Sequence, residues 1–168
     1  METTTASVKS LDGLIQLYDL HSGFFRNVLA GVSDEDAHNR LGTGANHFAW
    51  IAGSLVAMRF DLAKVMGKEP VQTAGELFRD MQGGIKDGAT YPQLTEYLND
   101  WETVTPILKE LLQNLSPADL DGPEPFGMPG KDLKLSDAIL FCIHREAYMI
   151  GQLGLLRRQL GYDTMKYE

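Results

Sequence analysis

The feature that most constrains this chain is the recurrence of apolar residues at three- and four-residue steps in four separate long stretches. That period gathers the apolar side chains on one face of an α-helix. The first stretch runs from about Ser7 to Leu29, and its face is Val8, Leu11, Leu14, Ile15, Tyr18, His21, Phe25, Val28 and Leu29. Gly31 follows as a helix stop. The second opens near Asn46, a favourable N-cap residue, and continues through His47, Trp50, Ile51, Ser54, Leu55, Met58, Leu62 and Val65 to Gly67. The third starts at Tyr91-Pro92, with proline in a first-turn position, and carries Leu94, Tyr97, Leu98, Trp101, Val104, Leu108, Leu111, Leu112 and Leu115. Pro106 falls inside it, where the missing backbone donor predicts a kink. The fourth runs from about Ser136 to Leu160 with Ile139, Leu140, Ile143, Ala147, Ile150, Leu153 and Leu156 on its apolar positions. Arg157 and Arg158 suit its last turn, and Gly161 ends it.

The segments between these stretches read as turns. Ser33-Asp34-Glu35-Asp36 and Ser116-Pro117-Ala118-Asp119 have the pattern of capped helical turns. A helical fragment is expected from Glu76 to Met81, broken by Gly83-Gly84 and Gly88. Residues 121–130 hold three prolines and three glycines and form a loop. No stretch alternates with the period of a strand. Long helices that each bury one stripe must share a core, so the expected architecture is an all-α four-helix bundle. Its 168 residues suit a single domain spanning 1–168. The connection between the second and third long helices is long enough to cross a bundle end, so their order need not alternate up and down.

Composition narrows the function classes. The formal net charge is −8, from 23 acidic and 15 basic residues. Such a surface disfavours nucleic acid, whose binding depends on neutralising phosphates, and gives no attraction to an anionic membrane. No stretch has the length of a membrane span, and the first residues lack the pattern of a secretory signal. A cytoplasmic protein is the expectation. Cys142 is the single cysteine, in the apolar run Ile139 to Ile143, which predicts a buried, inert thiol. There is no glycine-rich phosphate loop and no nucleophile elbow.

Two helical segments carry the polar residues of interest. One is Asn46-His47-Phe48-Ala49-Trp50-Ile51-Ala52-Gly53-Ser54-Leu55, and the other runs from His144-Arg145-Glu146-Ala147-Tyr148-Met149 through Gly151-Gln152 to Gly161. The latter resembles the C-terminal signature of the DinB/YfiT-like family, and the former resembles that family's second-helix segment. The resemblance implies a four-helix bundle with a long crossover between helices two and three, and a homodimer. It also implies a metal site of three histidines, one on helix two and a His-x-x-x-His pair on helix four, used for thiol transfer or hydrolysis. Those positions are Ser54, Arg145 and Met149 here. Serine is a poor neutral ligand, methionine suits soft metals, and arginine stays protonated. The expectation is therefore a chain without the family's metal or any other cofactor.

Three alternatives for function follow. A fixed cation at Arg145 makes a pocket for a small anionic ligand, with Ser54, Tyr148 and Gln152 adding polar contacts and His47, Trp50, His144 and Met149 nearby. Against it stands an internal ion pair of Arg145 with a carboxylate such as Glu146. A divalent metal could instead sit at a relocated His21/His47/His144 site and activate a thiol or water. The ordinary role of each of these histidines is that of a hydrogen-bonded core or rim residue, and His38 sits in a polar loop. A third reading is a dimeric structural or stress-related interaction module. Tyr148, Gln152, Gly151 and Gly154 are expected to pack within the bundle.

Overall fold

The second apolar stretch has almost no polar face, and this decides its place in the fold. In the computed structural model, which describes residues 3–79 and 84–167 and side chains from residue 11 onward, every residue from Phe48 to Phe60 is buried. The elements in order are α1 (Thr3–Leu29), α2 (Asp34–Ala37), α3 (Phe48–Val65), a 3-10 turn (Gly75–Phe78), α4 (Leu94–Gln113), α5 (Pro117–Leu120) and α6 (Leu135–Gln159). Among the described residues the fold is all-helical, with one isolated antiparallel bridge between Pro123 and Lys134. Among the described residues no helix is long and apolar enough to cross a membrane. The Val8 side chain, Met81 and Gly83, all named above, lie outside the described part.

Side-chain contacts fix the topology. On α1, Asp19 meets Lys109 and Arg26 meets Glu102, so α1 and α4 are antiparallel. His21 meets Glu146, and Arg157 bonds the Val28 carbonyl, so α1 and α6 run parallel. Gly53 lies under Tyr97 and Arg59 bonds Thr105, so α3 and α4 also run parallel. Two parallel neighbours in sequence require the chain to return along the whole bundle. That is the reason for the long connection between α3 and α4. Asp100 pins it midway, accepting from the Thr73 backbone N–H at 2.9 Å and from its hydroxyl at 3.2 Å.

Helix boundaries follow their caps, and two caps differ from the sequence expectation. The N-cap of α3 is His47, not Asn46: His47 Nδ1 accepts from the Trp50 N–H at 2.9 Å. Asn46 is used elsewhere, its Oδ1 accepting from Ile85 N–H at 2.9 Å. The third long helix begins at Leu94 rather than at Tyr91-Pro92, because Gln93 and Glu96 form a capping box that leaves Pro92 outside. The fragment expected at Glu76 to Met81 is the 3-10 turn Gly75–Phe78. α4 continues through Pro106. The two capped turns form as α2 and α5, each with its serine accepting from an N–H three residues on.

At Gly53 close approach decides the residue. A Cβ there would lie 2.3 Å from the Phe78 ring and 2.6 Å from the Tyr97 ring. Gly13, also helical, has no heavy atom within 4 Å of that position. Gly53→Ala is therefore expected to destabilise the protein by about 1–3 kcal/mol through overpacking. Gly13→Ala should stabilise it by about 0.5–1 kcal/mol through helix propensity. Urea unfolding of both variants checks the contrast, and equal effects would contradict the packing described.

Candidate functional site

Four positions on α3 and α6 frame the site: Ser54, Met58, Arg145 and Met149. Ser54 is fully buried and its hydroxyl donates to the Ile51 carbonyl at 2.9 Å. Arg145 is half-buried and reaches across from α6, with Nη1 3.4 Å from the Ser54 carbonyl oxygen and 3.5 Å from the Met58 sulfur. Among the described residues no carboxylate lies within ion-pair distance of it. Burial disfavours its charge and holds its pKa below the ordinary arginine value. Beside it an open cavity of about 310 Å³ is lined by Phe141, His144, Arg145, Tyr148 and Met149.

The internal ion pair expected for Arg145 exists, but its cation is Arg59. Glu146 accepts from Arg59 Nε at 2.6 Å and from Nη2 at 2.9 Å, a bidentate pair that is almost wholly buried. Arg59 Nη1 donates to Ser22 Oγ at 2.9 Å and Thr105 Oγ1 at 2.8 Å. Its guanidinium carbon lies 3.9 Å from the Tyr18 ring centre and 3.5 Å from that of Trp101. His21 Nδ1 is 3.3 Å from Glu146 Oε2, at ion-pair distance but without hydrogen-bond alignment. Burial alone would raise the Glu146 pKa; Arg59 and then His21 outweigh it and hold the carboxyl below its usual range. Sequence pattern did not single out Arg59. Its one signal was a lone cation in the run Leu55 to Leu62.

The three histidines of the relocated metal site do not converge. His21 faces Glu146 in the core, His47 caps α3, and His144 is exposed on α6. Among the described residues no three His, Cys, Asp or Glu side chains are grouped to hold a metal ion. His47 instead neighbours His38, at 5.2 Å between ring centres, and Tyr91, at 5.0 Å. His38 is not idle in a loop: its ring nitrogens contact the Asp34 carbonyl at 2.6 Å and the Tyr91 carbonyl at 3.1 Å, joining α2 to the approach to α4. Burial, and then the neighbouring His38, push the His47 pKa down to about 4. This agrees with its cap, which needs an unprotonated Nδ1.

The remaining candidates separate. Trp50 is buried against Phe78, and its indole N–H has no hydrogen-bond partner among the described residues. Tyr148 is 63% exposed, Gln152 is half-buried, and a Cβ on Gly151 or Gly154 would meet nothing within 4 Å, so none of these four packs tightly within the bundle as expected. The helix face bearing Tyr148 points to solvent because Glu146 points inward. Cys142 is buried, and burial pushes its thiol up to about 12, the inert state expected.

The DinB superfamily model matches residues 18–153, from the Tyr18 that covers Arg59 to Leu153 within the α6 signature. The chain belongs to the DinB superfamily. No curated protein matches it. For this DinB-superfamily chain the match covers the α3 segment, the α6 segment as far as Leu153, and the whole Arg59 network.

Two predictions come from these groups. Arg59→Met leaves a buried, unpaired carboxylate and should cost about 3–5 kcal/mol. The double variant Arg59→Met with Glu146→Leu should regain most of that loss in chemical denaturation, since no charge is then stranded. The second concerns His47, whose folded pKa lies below its unfolded value. Its neutral form stabilises the fold fully above about pH 6.5, and that contribution drains away as pH falls toward about 4. His47→Asn keeps a cap acceptor without the titration. Thermal melts between these limits should fall less steeply for the variant than for the wild type.

Proposed function

We propose that this DinB-superfamily protein binds a small organic anion at Arg145, at the place where the family's three-histidine metal site is expected. The observation that carries the reading is a half-buried guanidinium with no carboxylate partner among the described residues, opening on a cavity of about 310 Å³. A buried cation gains most from a partner that supplies both charge and hydrogen bonds. Its two contacts, at 3.4 and 3.5 Å, are long and go to a carbonyl and a thioether. They leave most of the five guanidinium N–H groups for a ligand. Besides His144, the other walls, Phe141, Tyr148 and Met149, are largely apolar. They suit the body of an aromatic or aliphatic carboxylate.

The side chains at the three family positions do not fit a nitrogen-ligated divalent metal. The Ser54 hydroxyl is committed to the Ile51 carbonyl, and Arg145 brings a positive charge to the point where a cation would bind. The reading therefore routes no chemistry through a metal. It includes a homodimer, supported by the exposed Leu140, Phe141, Tyr148 and Leu155 on α6.

Titration with benzoate, followed by thermal shift and calorimetry, tests the pocket. Wild type should be stabilised in the millimolar range, and Arg145→Ala should lose that response while keeping its fold, because the side chain makes only long contacts. Equal shifts in both proteins would overturn the pocket. Near-stoichiometric zinc, nickel or iron in tag-free protein would overturn the metal-free reading.

A further inference from the structure

The outer face of α6 carries a line of residues that the bundle does not use. Asp137, Phe141, His144, Tyr148, Gly151, Leu155 and Arg158 advance by alternating steps of four and three, the register of a two-helix seam. All lie opposite the side that buries Ile139, Ile143, Glu146, Ile150 and Leu153. Phe141 is 47% exposed, Tyr148 63% and Leu155 60%. Resting on the homodimer reading above, we infer that a second copy of this chain packs antiparallel along this face of α6, with Tyr148 on the two-fold axis.

Charge decides the direction and the occupant. In an antiparallel pair centred on Tyr148, Asp137 of each copy faces Arg158 of the other, one ion pair at each end of the seam. A parallel pair would stack Asp137 on Asp137 and Arg158 on Arg158. Each group keeps free capacity for the contact: Asp137 holds the Lys134 N–H with Oδ2 at 2.9 Å, and Arg158 uses Nη1 on the Tyr162 carbonyl at 2.8 Å. Between the ends the line bears no acidic residue, although the chain has a net charge of −8. Two copies can meet there without the like-charge repulsion that the rest of the surface imposes.

The same centring makes the seam self-complementary in size. Phe141 falls opposite Leu155, and His144 opposite Gly151. Glycine within a helix costs about 1 kcal/mol relative to alanine, and among the described residues nothing lies within 4 Å of a Cβ on Gly151. A neighbouring helix seated over it accounts for the residue. Phe141, His144 and Tyr148 also line the Arg145 cavity. Leu155 of the second copy would therefore close over the pocket that one chain leaves open.

Cross-linking and sedimentation test this together. Tyr148→Cys should link to itself through a short bismaleimide, while wild type, with its buried Cys142, should not. Phe141→Cys should not self-link, because its two copies lie about 21 Å apart along the axis, but it should link to Leu155→Cys in a mixture. Leu155→Glu, exposed in the single chain, should weaken the dimer at least tenfold without unfolding it. Self-linking of Phe141→Cys would overturn the antiparallel arrangement. A wild-type dimer indifferent to Leu155→Glu, with no link at Tyr148, would overturn the seam and leave the homodimer standing. A wild-type monomer at high micromolar concentration would overturn both.

Discussion

The arrangement of the bundle depends on one buried guanidinium. Arg59 of α3 holds Glu146 of α6 with two hydrogen bonds, Ser22 of α1 and Thr105 of α4 with two more, and lies between the rings of Tyr18 and Trp101. One side chain thus touches all the other long helices. Hydrophobic burial supplies most of the driving force for such a core but is indifferent to small rotations of each helix. A planar fork with fixed donors is not. Its bonds are met only when the four helices share one height and one rotation, so the network selects a single packing from the many that would bury the same apolar area. The energetic cost of desolvating the pair means that its role is specificity more than net stability.

Fixing Glu146 inward also fixes what α6 shows elsewhere. A helix turns about 100° per residue, so Arg145 falls to the flank beside α3 and Tyr148 falls on the outer face. Arg145 then meets the Ser54 carbonyl and the Met58 sulfur. The cavity and the seam are consequences of the same rotation, read on adjacent strips of one helix. Three turns further along the same inward face Arg157 bonds the carbonyls of Val28 and Ala30, satisfying the C-terminal end of α1 with a cation.

The four long helices were legible in the sequence because each repeats its apolar face many times over. Their ends were less so. Asn46 is the better cap by propensity, yet His47 caps α3, because Asn46 is drawn to the Ile85 backbone by a contact that only the tertiary fold creates. The motif of α6 placed Arg145 and Glu146 side by side but gave no rotation. The choice of which one pairs internally belongs to Arg59, a partner 87 residues away in sequence. His21, His47 and His144 could be proposed as a cluster for the same reason: spacing along a chain says which residues share a helix face, not which faces meet. Gly151 is the converse case. A small residue on a helix suggests close packing, and the side it opens is the one facing away from the core.

The network that orients the helices lies apart from Ser54, Arg145 and Met149. Ser54 and Arg145 meet at a single long contact, and neither is part of the Arg59 network. The Arg59–Glu146 pair sets α3 against α6 without drawing on any of those three residues. The residues at 54, 145 and 149 are then free to change chemistry while Glu146, between two of them, cannot change without stranding Arg59. Tight coupling of the core to one position and loose coupling to its neighbours lets a helical frame keep its geometry while its site chemistry differs. For the same reason membership of the superfamily specifies how this chain folds far more closely than what it binds.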